Sequence, residues 1–498
     1  MISEKIWIEA QGLLAQEKAR ARRSYKLRRS LMHNAINHLR TANPKYSAAR
    51  TFTVYQAVGV LLACICIGFL SFTNFNLLAF SGTLILTGFY LANILMRGLL
   101  LAEFDESTIK SKSIIPAHES NLPVYSILVA LYQEPEQISG LTEHLWKLNW
   151  PKEKLDIKLV CEADDLETIY AIKNEGLPDC FDLVLVPPTA PRTKPKALNY
   201  ALPLAHGQFL VLYDAEDRPE PDQLREAYGR FVTGDREIAC LQAPLHIHND
   251  NQNWLCQMFA IEYLTLFNGI LPVLAKWRVP LPLGGTSNHF KTEILRKVGA
   301  WDPFNVTEDA DLGIRLYREG YRCETLSMPT YEEAPSQILP WLRQRTRWIK
   351  GWMQTILVHN RNPIEFSRNL GIKKTLAFHL FLTSLVISVL IHPIFLFLSI
   401  YQVVNLTFTN HSPFDTFLLG TSVFNLVGGY TTYALLAFAV LKTLKTTRSA
   451  RYLVTLPVYW LIISIAGWRA VVHLIVKPHK WEKTPHGLAN TEFGLTVE

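Results

Sequence analysis

Phe209-Leu210-Val211-Leu212-Tyr213-Asp214-Ala215-Glu216-Asp217 runs a short apolar stretch straight into a cluster of carboxylates. A wholly apolar run of this length reads as a strand buried on both faces, as in a parallel sheet. Carboxylates crowded at the mouth of such a strand repel one another unless a cation sits among them. Oxygen donors of this kind suit Mg2+ or Mn2+ held together with a diphosphate. A solvated acidic turn explains an isolated Asp-x-Glu better. Its place directly after a strand brings the two accounts level.

Working outward, further short apolar runs at Tyr125–Leu131, 157–160 and Phe181–Val186 alternate with amphipathic stretches at 137–148 and Leu166–Asn174. Strand–helix alternation implies a doubly wound α/β sheet, with ligands bound at the carboxyl ends of its strands. On both sides of this segment, 105–360, the texture is oily. Two apolar stretches at 54–72 and 77–101 form a hairpin within 51–104, each near the roughly 20 residues that cross a bilayer. Two more follow at 376–404 and 417–441, within a segment 361–445 that opens with an interfacial helix. A last one, 452–476, carries Pro457, Trp468, Arg469 and His473. Polar residues recurring in an apolar helix suit an interfacial or re-entrant course, although hydropathy alone makes it a span.

Apolar residues make up 49% of the 498 residues, charged residues 19%, and the net charge is +7. The basic excess sits in the arm 1–50, chiefly at 18–29 (KARARRSYKLRR), beside the first apolar stretch rather than in a nucleic-acid-reading motif. That placement is the positive-inside pattern of a cytoplasmic face, and it excludes nucleic acid as the partner. The seven Cys have no CxxC pair and no zinc spacing, which reads as reduced structural thiols. Polar sequence after Met1 argues against a cleaved signal peptide.

Two more constellations carry chemistry. Thr307-Glu308-Asp309-Ala310-Asp311 precedes a helical pattern. Thr307 is placed to cap that helix, but Ala310 stands where a capping box needs Glu. Asp309 is then either part of an acidic helix start or a general base, which needs a path to an acceptor hydroxyl. In Gln344-Arg345-Thr346-Arg347-Trp348, helical spacing puts Gln344, Arg347 and Trp348 on one face. An indole stacks on a sugar ring and a guanidinium fork matches phosphate oxygens. An amphipathic membrane-surface helix would hold Arg and Trp too.

In this order and flanked by spans, the three resemble the DxD, TED and QxxRW motifs of processive family 2 glycosyltransferases, the cellulose synthase, hyaluronan synthase and poly-N-acetylglucosamine synthase group. The resemblance covers about 120–360. It implies a GT-A type (Rossmann-like) α/β domain in the cytoplasm, inserted between transmembrane helices of a multi-pass inner-membrane protein. It also implies Asp214 and Glu216 on metal and diphosphate, Glu216 departing from the usual Asp, with Asp217 as a further acid. Asp309 falls on the catalytic base beside Glu308, and Gln344, Arg347 and Trp348 on the acceptor side. Lys196 falls on the diphosphate lysine, and Asp164, then Glu162, on the nucleotide acid. Gly285 and Thr286 resemble the acceptor-pocket loop, for which a simple turn is nearly as good an account. Trp481, Lys483, Thr484 and His486, in the tail of 446–498, resemble a gating loop. The implied reaction is inverting transfer of a hexose, glucose from UDP-glucose first, onto a β-linked polysaccharide exported through the spans, with a periplasmic partner. Single glucosylation of a lipid is the alternative.

Overall fold

The computed structural model describes residues 26–106, 121–408 and 413–482. Its strands are β1 (Tyr125–Leu131), β2 (Leu155–Glu162), β3 (Phe181–Val186), β4 (Phe209–Tyr213), β5 (Arg218–Pro219), β6 (Ile238–Gln242), β7 (Leu245–Ile247), β8 (Asn288–Lys291), β9 (Arg322–Thr325) and β10 (Thr330–Glu332). Seven of them form one sheet in the order β3-β2-β1-β4-β8-β6-β9, and β5-β10-β7 form a small second sheet. β1 pairs in parallel with both β2 and β4, so the chain builds outward to β3 and then returns to the other side of β1. Crevices for ligands open at such a switch point, outside the strands' carboxyl ends. β8 runs antiparallel to both β4 and β6. The apolar run that ends in Asp214 is β4, and every residue of it is buried.

A fully buried polar chain braces β4 from beneath. Gln223 spends its amide N–H groups on the Met328 and Pro329 carbonyls and on Thr330 Oγ1. Its Oε1 therefore accepts from Tyr213 O–H (2.7 Å) and His289 Nε2–H (3.0 Å), which leaves His289 Nδ1 to accept from Tyr125 O–H (2.8 Å). Burial pushes His289 down to about 3, so the ring stays neutral.

The helices used below are α1 (Val54–Thr73), α2 (Phe75–Glu103), α3 (Lys194–Ala201), α4 (Trp254–Leu264), α5 (Glu308–Arg318), α6 (Ile338–His359), α7 (Ser384–Phe408), α8 (Pro413–Thr443) and α9 (Leu456–Val476). α1 begins at a complete capping box, Thr53 Oγ1 accepting from Gln56 N–H and Gln56 Oε1 from Thr53 N–H. Among the described residues six helices are long and apolar enough to cross a membrane, and they include the expected stretches before and after the α/β domain. The sixth, Trp254–Lys276, is mostly buried in protein, so its apolar residues serve the core. Helical residues 26–42 of the basic arm are not a free tail: Met32, Ala35 and Leu39 recur at helical spacing and are buried, and Asn199 Nδ2 donates to the Ala35 carbonyl (3.1 Å).

Both ends of α9 are hydrogen-bonded to the α/β domain and to α6. Trp254 Nε1 donates to Thr455 Oγ1 (2.9 Å) at one end. At the other, Lys350 Nζ donates to the carbonyls of Lys477 (3.2 Å) and Lys480 (2.7 Å), and Gln354 to that of Pro478 (3.1 Å).

Thr307 stands at the N-cap position of α5 but makes no capping bond, because α6 packs directly on it. A Cβ on Gly351 would lie 2.3 Å from Thr307 Oγ1 and 2.7 Å from Thr307 N. Gly351→Ala must therefore push α6 and the start of α5 apart. It is expected to cost about 1–3 kcal/mol, read as a lowered midpoint of thermal unfolding, with activity falling more than stability because Asp309 and Arg347 sit on the two elements that separate.

Candidate active site

A cavity of about 420 Å³ opens at the carboxyl ends of β1 and β4. Asp214 and Glu216 reach it from the turn after β4, Glu308 and Asp309 from the first turn of α5, and Gln344, Arg347 and Trp348 from one face of α6. Gly285 and Thr286 line it from the loop before β8, and Trp481 from the chain beyond α9. Residues more than 100 apart in sequence thus converge on one space. Gly285 keeps it open: a Cβ there would come within 3.2 Å of Asp309 Oδ2.

Charge is unevenly balanced around it. Burial raises Asp309 to about 6; it raises Glu308, which also faces the charge of Asp309, to about 8. Glu308 is thus held further above its ordinary value than Asp309, which makes Asp309 the more readily ionised of the two. Asp309 Oδ1 accepts from the Ala310 N–H (2.7 Å), which leaves Oδ2 toward Gly285 and the cavity. Burial lowers Arg347, opposed by Glu308, Asp309 and Asp214, and its guanidinium lies 5.0 Å from the ring centre of Trp481.

At the other end, Asp214, Glu216, Asp217 and Glu332 crowd together. Burial pushes Asp217 and Glu332 well above the carboxylate range, and the charges of their neighbours push them further. Asp217 turns inward, its Oδ2 accepting from Asp214 N–H (2.7 Å) and from Thr286 O–H, so it shapes the acidic turn rather than lining the cavity. Lys194 Nζ donates to Asp214 Oδ1 and to the Gly285 carbonyl (2.6 Å), a cation already standing among these acids. Burial alone would lower Lys194, but Asp214 and Glu308 hold it above its ordinary value. Among the described residues no three Asp, Glu, His or Cys side chains converge as a ready-made metal cage.

Two of the expected residues lie apart from the cavity lining. Lys196 does not reach the cavity: it is fully buried, with Nζ 2.5 Å from Glu162 Oε1 and donating to the Thr189 carbonyl (3.0 Å). Asp164 is half-exposed and ion-paired with Arg192 (2.6 Å), away from the cavity wall, whereas Glu162 lines it with Oε2 unpartnered. Lys194, Glu134 and Glu332 also line the cavity and were missed. Lys194-Pro195-Lys196 offered a signal, since residues two apart on a helix face different ways and only one lysine can turn to a ligand. Nothing in the sequence pattern marked Glu332. Lys483, Thr484 and His486 lie outside the described residues.

The α/β domain thus gathers a strand-end acidic turn, a helix-start acid pair and an Arg–Trp helix face around one cavity. The family description "Glycosyl transferase family group 2" matches residues 209–463, just over half the chain, and the chain belongs to that family. Curated relatives include a probable glycosyltransferase, YdaM, of Bacillus subtilis, 27% identical over 244 residues (47% of this chain, 57% of the relative). They also include the UDP-forming cellulose synthase catalytic subunit of Komagataeibacter sucrofermentans, 24% identical over 255 residues (49% and 33%). A third is the beta-monoglucosyldiacylglycerol synthase of Trichormus variabilis, 26% identical over 248 residues (48% and 51%). This chain thus matches only a third to just over half the length of these relatives. Among solved structures, the mannosyltransferase PcManGT of Pyrobaculum calidifontis, in complex with GDP-Man and Mn2+, shares the fold at a TM-score of 0.50. It is 19% identical, covering 79% of this chain and 98% of that one.

Proposed function

We propose that the protein is an inverting membrane hexosyltransferase that moves glucose from UDP-glucose onto a growing β-linked polysaccharide at the cytoplasmic face. The observation that carries this reading is a set of buried polar atoms on cavity-lining residues with no hydrogen-bond partner among the described residues: Glu162 Oε2, Gln344 Oε1 and Arg347 Nε. Buried polar groups normally find partners, and here a ligand rich in hydroxyl and phosphate oxygens supplies them. Asp309 takes the proton of the acceptor hydroxyl, which attacks the anomeric carbon as UDP departs; one displacement inverts the α-donor. Trp348 stacks on the acceptor sugar, and Arg347 and Lys194 face the donor phosphates. The carboxylates of Asp214 and Glu216 would hold Mg2+ or Mn2+ together with the donor diphosphate, and such an ion would supply Lewis-acid stabilisation of the leaving group. In this reading α9, tethered at both ends to the catalytic side, lies along the membrane interface. The remaining spans carry the polymer outward.

A relative that makes a monoglucosyl lipid supports the second reading, one glucose placed on a diacylglycerol-type acceptor. UDP release by the full chain in nanodiscs, with Mg2+ or Mn2+ and a panel of UDP- and GDP-sugars, tests both. The polysaccharide reading expects turnover with UDP-glucose, its loss with EDTA, and a labelled product cut by a β-glucanase. Label that extracts into organic solvent replaces it with the lipid reading. Turnover with another sugar alone, or turnover that survives EDTA, overturns the donor or the metal assignment respectively.

A further inference from the structure

Arg345 stands between Gln344 and Arg347 in sequence and borders the same cavity, yet its guanidinium is spent elsewhere. Its side chain is 2% exposed and turns toward α4 and α9. One guanidinium nitrogen donates to Glu262 Oε1 (2.5 Å) and another to Tyr459 Oη (3.2 Å), while Tyr459 O–H donates to Glu262 Oε2 (2.7 Å). The three side chains close a ring of hydrogen bonds that joins α6, α4 and α9. Glu262 borders the cavity, but both its oxygens are engaged in this ring.

The ring touches Trp348. The Arg345 guanidinium carbon lies 4.8 Å from the Trp348 ring centre and 4.6 Å from that of Phe259. Tyr263, one turn along α4 from Phe259, stacks on Trp348 at 6.1 Å and 26°. Trp348 is thus held from behind by a cation and two aromatic rings, with its remaining surface on the cavity. A buried Arg–Glu pair contributes little net stability, because desolvation offsets the attraction; what its forked geometry supplies is direction.

We propose that Arg345, Glu262 and Tyr459 are positioning residues that fix the plane of Trp348, and that α9 thereby forms part of the acceptor site. The inference rests on Trp348 being the acceptor platform. If it holds, loosening the ring spares donor binding and lets water compete with the acceptor.

The test uses the full chain in nanodiscs with UDP-glucose labelled in the sugar. It compares UDP released with label found as free glucose and label found in product. Tyr459→Phe removes the hydroxyl and both its hydrogen bonds in the ring, and is expected to raise the ratio of hydrolysis to transfer by at least about tenfold, the scale of one hydrogen bond to a charged group, with KM for UDP-glucose unchanged. Trp348→Ala is expected to give the same shift, and Tyr459→Phe added to it no more. An unchanged ratio in Tyr459→Phe, or a parallel rise in the donor KM, overturns the proposal. Wild-type protein that releases no UDP, or only hydrolyses the donor, overturns the proposed function instead.

Discussion

Asp309→Asn is expected to lower sugar transfer by about 10²–10⁴-fold, the usual worth of a positioned general base, while UDP still binds. The substitution keeps shape and removes only the ability to take a proton. Asp309 sits at the start of α5, where a helix dipole favours the anion, yet burial wins and lifts it to about 6. That value decides the pH dependence. A base must be ionised to act, and raising its pKa favours the protonated form. Wild-type kcat/KM is therefore expected to hold above pH 6 and to fall about tenfold per unit below it. The residual activity of Asp309→Asn should lack this acidic limb. Isothermal titration with UDP separates the effects: an Asn variant that has lost UDP binding, or that turns over at the wild-type rate, removes Asp309 from the role of base.

The central sheet was legible because β1 and β4 are apolar on both faces, a pattern that solvated loops do not show, with shorter apolar runs beside them. β1, β3 and β4 fall where the apolar runs lie, and β2 extends the run at 157–160 to Leu155–Glu162. The antiparallel β8 was not legible: Asn288-His289-Phe290-Lys291 has neither apolar continuity nor clean alternation, and it is buried because Tyr125 and Gln223 satisfy His289. The helix 254–276 shows the limit of hydropathy. Its composition is that of a span, and only its packing within the protein distinguishes it.

The site was legible where chemistry repeats along one element. Gln344, Arg347 and Trp348 share a face by helical spacing alone, and Asp214 and Glu216 gain meaning from the strand before them. What spacing does not reveal is which way a side chain turns once the chain folds. The sequence favours Asp164 over Glu162 as the nucleotide acid, whereas Arg192, 28 residues away, pairs with Asp164 at the surface. Arg345 carries no assignment from its place in the motif, and its role comes from Glu262 and Tyr459 around it. In each case the deciding partner is remote in sequence.

The two lysines of α3 bring that distinction to an experiment. Lys194→Met is expected to reduce kcat/KM for the nucleotide sugar about 100-fold, the scale of losing one preorganised donor to developing charge, with little change in thermal stability. Lys194 already bridges Asp214 and the Gly285 carbonyl at the cavity wall, so its ammonium is in place for a diphosphate. Its removal also leaves the acids there less balanced, which should tighten the metal requirement as KM rises. Lys196→Met is expected to behave in the opposite way. It strands Glu162, whose charge is buried and compensated chiefly by Lys196, and breaking a buried pair from one side costs about 3–5 kcal/mol. Thermal unfolding should show that loss before any kinetic effect is read. Measuring both variants by unfolding midpoint and by kcat/KM crosses the outcomes. A stable but inactive Lys196→Met beside an active Lys194→Met would return the diphosphate contact to Lys196. The reverse pattern assigns it to the lysine that faces the cavity, two residues earlier.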